Sequence, residues 1–341
     1  MVLVTGGTGL VGSHLLYFLP KENETVRAIR RKKSDLSNVL KVFSYYTENS
    51  EELFKRVEWI EADITEIPSL IKAFEGITKV YHCAAFISFD PSHFQTLKKV
   101  NIEGTANVVN LCLSEKVEKL CYVSSVAALG QLDNGKEISE NTEWNQEAEN
   151  SVYAITKYGA EMEVWRGVQE GLEAVIVNPS VIIGEGFWDS GVGTILKILD
   201  RKKMPLYPTG GIGVVDVRDV VSIMVLLMEG NIRNQKFILS AHNLFYKTLF
   251  SELAVLIERK PPYKKFQKWK LMLVSNIDWF VHKIFGTSRK VLKAMVASMY
   301  TVSFYDNSKI IEAIDYKFIP LEKTLKRITK YYSNESDSTD S

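Results

Sequence analysis

The chain is 341 residues long, 46% hydrophobic and 24% charged, with 42 Lys or Arg against 41 Asp or Glu. A chain of this length can bury about three quarters of its unfolded surface, so one α/β domain, or one plus a smaller lobe, is expected. A net charge of +1 gives no electrostatic case for a nucleic-acid partner.

The opening sixteen residues carry the strongest pattern. Val2–Thr5 is a β-branched run and predicts a buried strand. Gly6, Gly9 and Gly12 recur at every third position, and Leu15 and Leu16 continue into a helical pattern. Glycines here permit a tight turn and a close approach to a pyrophosphate, while the helix N-terminus offers free N–H groups to the anion. Gly6, Gly9, Leu10, Val11 and Gly12 are therefore expected to contact a dinucleotide. The plainer reading is a Gly-rich strand-to-helix turn.

Further elements follow in alternation. Strands are predicted at Thr25–Ile29, Val57–Ala62, Lys79–Ala85, Leu120–Ser124 and Ala174–Pro179, and helices at Pro68–Phe74, Val100–Leu113 and Tyr153–Glu170. This rhythm predicts a Rossmann-type, doubly wound parallel sheet with helices on both faces and ligands at the carboxyl ends of its strands. After Pro179 the rhythm changes: 184–193, 202–213 and 260–270 read as loops. The expected division is a dinucleotide-binding domain over 1–180 and a smaller substrate lobe over 181–332. Residues 333–341, made only of Ser, Asn, Asp, Glu and Thr, are expected to form a disordered tail.

Cys83, Cys112 and Cys121 lack Cys-x-x-Cys spacing and read as small buried thiols. His14, His93, His242 and His282 lack ligand spacing, so no metal is expected. The strand pattern begins at residue 2, so no signal peptide is expected, and no uninterrupted apolar run reaches membrane-spanning length. A reducing, cytoplasmic setting fits.

Tyr153 and Lys157 open the long helix four residues apart, on one face. A phenol titrates near 10 in water, and a nearby ammonium favours the phenolate, so the pair can relay a proton to or from an alcohol or carbonyl. The same spacing occurs at Tyr17/Lys21 and Tyr305/Lys309. Only Tyr153 lies between the fifth and sixth strands. Ser124 and Ser125 end the fifth strand, where a hydroxyl can orient a substrate carbonyl; a simple strand cap is the alternative.

With these residues assembled, the chain resembles the extended short-chain dehydrogenase/reductases of the NAD-dependent epimerase/dehydratase group, nearest the dihydroflavonol-reductase-like and 3β-hydroxysteroid-dehydrogenase-like branches. The resemblance covers roughly residues 1–330. It rests on Thr5-Gly-Gly-Thr-Gly-Leu-Val-Gly12, Ala62-Asp63, His82-Cys-Ala-Ala85, Asn101-Ile-Glu-Gly-Thr105, Val123-Ser-Ser125, the Tyr153/Lys157 pair and Asn178-Pro-Ser180. It implies Ser125 as catalytic serine, Tyr153 as proton donor or acceptor, and Lys157 as the residue that lowers its pKa and holds the nicotinamide ribose. It further implies Asp63 and Ile64 beside the adenine, Ala84 and Ala85 along the cofactor, and Pro179 and Ser180 near the nicotinamide. Asn101 belongs to a supporting polar network; a plain polar residue at a helix start is the alternative. Paired-helix homodimers are frequent in the family.

An NAD site calls for a carboxylate about 20 residues after the glycines. Here Arg30, Arg31, Lys32 and Lys33 stand at the end of the second strand, and no acid appears until Asp35. An arginine fork suits a 2′-phosphate, with Arg31 as clamp and Lys32 as a nearby charge. NADP is expected over NAD. The residues after Ser125 include no acidic pair of the dehydratase kind. The expected activity is net reduction of a ketone or aldehyde, or the reverse oxidation of the alcohol. A nucleotide-sugar epimerase recycling NAD is one alternative, and a non-catalytic cofactor-binding protein is another.

Gly213–Val220 resembles the family stretch that begins the second lobe's helix, without the aromatic or histidine expected near Asp216; Arg218 and Asp219 can simply pair with each other. Tyr263–Met299 mixes lysines with a strongly apolar segment. It reads as amphipathic helices packing on the lobe, with a lid for an apolar substrate or a membrane-surface contact as the sharper readings.

Overall fold

The computed structural model describes residues 1–19, 25–132, 136–200, 205–285, 289 and 291–339, leaving aside the side chains of 285 and 336–339. Its strands are β1 (Val2–Thr5), β2 (Val26–Arg30), β3 (Val57–Glu61), β4 (Lys79–His82), β5 (Lys119–Val123), β6 (Ala174–Pro179), β7 (Val181–Ile183), β8 (Leu206–Tyr207), β9 (Gly211–Asp216), β10 (Gln235–Leu239), β11 (His242–Phe245) and β12 (Lys264–Lys265). Seven of them form one parallel sheet in the order β10-β6-β5-β4-β1-β2-β3. Every residue of β1 and β6 is buried, as expected of strands covered by helices on both faces.

Two hydrophobic layers sandwich the sheet. Leu15, Leu16, Phe43, Val220 and Met224 pack one face, and Leu70, Phe74, Val108 and Val164 the other. The strand order reverses between β1 and β4, which opens a crevice at their carboxyl ends. A small sheet, β11-β9-β7, and a third core around Leu196, Leu253, Leu325 and Ile328 form the second lobe. The last strand of the main sheet, β10, comes from beyond residue 180.

Several boundaries differ from the sequence expectation. The helical run predicted from Val100 starts earlier. Asp90 caps a short turn at Pro91–His93 by accepting from Ser92 N at 3.0 Å, and helical residues continue from Phe94 to Ser114. Helices Ser37–Ser44 and Ser50–Lys55 fill the β2–β3 connection, and the helix Gly191–Asp200 takes in the end of the loop expected over 184–193. Part of the loop expected at 202–213 lies outside the described residues, but β8 and the start of β9 fall within it.

The expected disordered tail is helical as far as the chain is described: Leu321–Thr339 is one helix. Leu325, Ile328 and Tyr332 are buried on it, and Glu335 accepts hydrogen bonds from Trp188 Nε1 at 2.7 Å, Lys41 and Tyr45. A polar composition concealed the end of a helix already anchored upstream. Residues 340–341 lie outside the described part. Among the described residues no helix is long and apolar enough to cross a membrane.

Candidate active site

The first turn is shaped for close backbone approach. Gly6 has φ +71°, and a Cβ there would stand 2.5 Å from Ala84 N. A Cβ on Gly12 would stand 2.2 Å from Gly6 O. Gly9 precedes the helix Leu10–Phe18, which has no side-chain cap and no acid in its first turn. The N–H groups of that turn, with Leu10, Val11 and Gly12 in it, are therefore open to an anion.

A cavity of about 390 Å³ lies over this turn at the β1–β4 crevice. It brings together Gly6, Gly9, Arg30, Arg31, Asp63, Ile64, Ala84 and Ala85. Lys32 and Lys33 line an adjoining cavity of about 690 Å³ that shares Arg31, Ser34 and Asp63 with it. The Asp63 carboxylate accepts from the Thr65 N–H and hydroxyl, at 2.9 and 2.8 Å. Bare glycine backbone, an uncapped helix start and a basic far wall together fit a dinucleotide with an anionic middle.

Ser151 caps the helix Val152–Gln169 by accepting from Ala154 N at 3.1 Å. That places Tyr153 in the first turn and Lys157 one turn on. The Tyr153 hydroxyl lies beside Ser125. Burial pushes the phenol up to about 12, and the neighbouring Ser125 opposes that rise. Ser124, by contrast, is committed elsewhere: its hydroxyl donates to Glu161 at 2.7 Å.

Lys157 is buried. Its ammonium donates to the Tyr122 hydroxyl at 2.7 Å and to Val123 O at 2.9 Å. Burial lowers its pKa to about 7, with the Glu161 carboxylate and the Cys83 thiol opposing. The expectation was an ammonium favouring the Tyr153 phenolate. The ammonium instead turns to Tyr122, and burial dominates Tyr153, so its proton stays on at neutral pH.

Behind Tyr122 runs a buried polar chain. Thr105 lies beside Tyr122 and hydrogen-bonds His82 at 2.9 Å, and His82 meets the Thr5 hydroxyl at 2.6 Å. Burial and the Lys157 charge hold His82 down at about 3. Asn101 is buried inside the continuous helical run, not at a helix start. It accepts from Phe86 N at 2.8 Å and donates to Phe86 O at 3.0 Å and the Thr156 hydroxyl at 3.2 Å, tying the loop after β4 to the helix of Tyr153. Pro179 ends β6, and the Ser180 hydroxyl donates to Leu239 O at 3.3 Å.

Residues 2–238 match the model of the NAD dependent epimerase/dehydratase family. The chain belongs to that family. It is thus an NAD(P)-dependent enzyme of the extended short-chain dehydrogenase/reductase type. It is similar to a putative dihydroflavonol 4-reductase of Synechocystis sp., 26% identical over 338 residues that cover 97% of this chain and 94% of the relative. It is 29% identical over 246 residues to sterol demethylase protein B of Methylococcus capsulatus, covering 71% of this chain and 70% of that one. Among solved structures, gox2253 superposes with a TM-score of 0.82 at 28% identity, covering 98% of both chains.

Within this epimerase/dehydratase member, the other Tyr/Lys spacings are placed differently. Lys309 donates to Lys236 O at 2.9 Å, and Lys21 lies outside the described residues. The sequence reading missed Tyr122 and Glu161. Glu161 is buried, held by Ser124, by Asn178 at 2.9 Å and by Lys236 at 3.5 Å. Its position four residues after Lys157 was the available signal. It also missed Phe89, whose ring stands 5.5 Å from that of Tyr153.

Arg218 and Asp219 do not pair. Asp219 accepts from the Tyr316 hydroxyl at 2.8 Å, while Arg218 bonds the buried Glu185. Asp216 caps the helix Val217–Glu229 and takes Arg327, which also reaches Glu185.

Proposed function

We propose that this enzyme is an NADP(H)-dependent reductase of an apolar ketone or aldehyde, with Ser125, Tyr153 and Lys157 as its catalytic residues. The observation that carries the reading is the placement of Tyr153 in the first turn of its helix, beside Ser125 at the carboxyl end of β5, with Lys157 one turn on. The bound nicotinamide supplies the hydride. Ser125 and Tyr153 grip the carbonyl oxygen, and Tyr153 gives it the proton, giving the alcohol. A phenol that keeps its proton at neutral pH suits a donor. Lys157, held by Tyr122 and Val123, faces the nicotinamide ribose with Pro179 and Ser180 nearby. Gly6, Gly9, Leu10, Val11 and Gly12 hold the pyrophosphate, and Asp63, Ile64, Ala84 and Ala85 the adenosine side. Arg31 clamps the 2′-phosphate, with Arg30 and Lys32 beside it. Asn101 fixes the crevice wall.

The apolar substrate is supported by a cavity of about 510 Å³ lined by Phe89, Trp279, Phe280 and Leu292. Phe89 connects it to Tyr153. The names of two relatives, a dihydroflavonol reductase and a sterol demethylase component, point to bulky ring substrates of this kind.

A screen of NADPH oxidation tests the reading, with aromatic and alicyclic ketones and aldehydes set against nucleotide-sugars. Stoichiometric NADPH loss with a bulky carbonyl is expected. Sugar turnover without net cofactor loss would make the protein an epimerase. Cofactor binding with no turnover on any class would make it a non-catalytic member.

A further inference from the structure

The helix Lys268–Phe285 turns Ser275 and Asp278 inward. Ser275 is buried and donates to Val291 O at 2.8 Å, and Asp278 faces Arg289 at 3.8 Å. The opposite face carries Trp269, Leu273, Ile277, Phe280 and Ile284, at steps of four, four, three and four residues, which is one helical stripe. All five are exposed, Trp269 at 63% and Phe280 at 58%. Of the 23 exposed large hydrophobics among the described residues, eight lie on this one helix. A globular helix normally shows the reverse arrangement.

Charge is concentrated in the same place. Residues 260–299 hold nine Lys or Arg and a single acid, Asp278, while the rest of the chain carries 33 basic and 40 acidic residues. Lys264, Lys265, Lys268 and Lys270 are exposed at the start of the helix. Lys270 and Lys283 lie over the rings of Trp269 and Trp279, at 5.5 and 5.2 Å.

We propose that this face docks on an anionic lipid bilayer, with the helix lying in the plane of the interface. An outward apolar stripe with tryptophans and flanking lysines is the chemistry of an interfacial helix. The apolar stripe is flanked by exposed lysines, a combination that an anionic, fluid surface accommodates. A second copy of the chain is disfavoured, since pairing this face on itself would oppose two strongly basic segments. The proposal stands apart from the reductase reading, because it is read by binding.

The test spins the full-length protein with vesicles of phosphatidylcholine alone, or with about one third phosphatidylglycerol, in low salt and in about 0.5 M NaCl. Pelleting with the anionic vesicles is expected, weakened at least tenfold on neutral vesicles or in high salt. The double variant Trp269→Ser/Phe280→Ser should pellet at least tenfold less, with a melting curve reporting its folding. If it does not fold, Lys264→Gln/Lys265→Gln/Lys268→Gln/Lys270→Gln carries the test, with roughly fivefold lost per lysine. Absence of pelleting with either vesicle, or equal pelleting of the variants and the parent, overturns the proposal. So does a concentration-dependent dimer abolished by Trp269→Ser/Phe280→Ser, which would give this face to a second copy.

Discussion

Lys157 donates to the Tyr122 hydroxyl at 2.7 Å, and its ammonium lies 4.5 Å from the centre of that ring. Tyr122 therefore supports the charged form of Lys157 in a site whose burial disfavours it. Tyr122→Phe removes an acceptor from a buried cation, at about 1.5–3 kcal/mol of stability. Losing an acceptor of the charged form should lower the Lys157 pKa further. The alkaline limb of kcat/KM should move to lower pH, and a pH–rate profile of the variant shows it. An unmoved limb would separate Tyr122 from the chemistry.

Tyr153→Phe keeps the ring that meets Phe89 and loses the hydroxyl beside Ser125. Turnover should fall by roughly two orders of magnitude or more, the scale of a lost general acid, while NADPH titration and thermal melting stay near the parent's. Full activity in this variant would refute the proton-donor role.

Arg31 is exposed and lines both cavities at the end of β2. Losing a charged hydrogen-bond partner for a phosphate costs about 1.5–3 kcal/mol, or roughly tenfold to a hundredfold. Arg31→Ala should weaken NADPH by that factor and leave NADH nearly unchanged, as fluorescence titration of both would show. An equal loss for both, or a parent that prefers NADH, removes the NADP assignment.

Two buried histidines set the acid side of stability. Burial lowers His14 from 6.5 to about 4 and His82 from 6.5 to about 3. Folded-state values below the unfolded one mean that the unfolded chain binds more protons, so stability falls as pH drops from 6.5 towards each folded value. At pH 5 the loss is roughly 2 kcal/mol per histidine, which urea midpoints at pH 7 and pH 5 would register. Coincident midpoints would mean that these imidazoles open to water.

Glu335 joins Lys41 and Tyr45, on and just after the helix Ser37–Ser44, to Trp188. Ending the chain at Tyr332 should destabilise the fold by about 1–3 kcal/mol, since the half-buried Trp188 and Tyr45 donors lose their acceptor. The melting temperature of the truncated chain reports it. An unchanged melting temperature would return the segment to the status of a loose tail.

The βαβ rhythm and the glycine turn were legible because both are local. Val2–Thr5 and Ala174–Pro179 are continuous apolar runs that only a doubly covered strand explains. Cavity walls collected Gly6, Gly9, Arg31, Asp63, Ile64, Ala84 and Ala85 because each follows a strand of the same sheet. What stayed hidden depends on pairing across the chain. Tyr122 reads as an ordinary strand residue until Lys157 is folded against it. Glu335 reads as solvated until Trp188 and Tyr45 arrive. The direction in which Lys157 points was equally illegible, because spacing places a side chain on a face but not on a partner.

Arg327 reaches Glu185 from 142 residues downstream, and Asp216 from 111. Synthesis runs from the N-terminus, so every strand of the main sheet has been made by residue 239 while both carboxylates still await that cation. Glu185 also holds the first helix, since its carbonyl receives His14 Nε2 at 3.1 Å. Leaving a buried carboxylate short of its partner costs roughly 3–5 kcal/mol. The nascent dinucleotide-binding half is thus kept provisional on the ribosome. It gains the Arg327 cation only once the helix Leu321–Thr339 has been made.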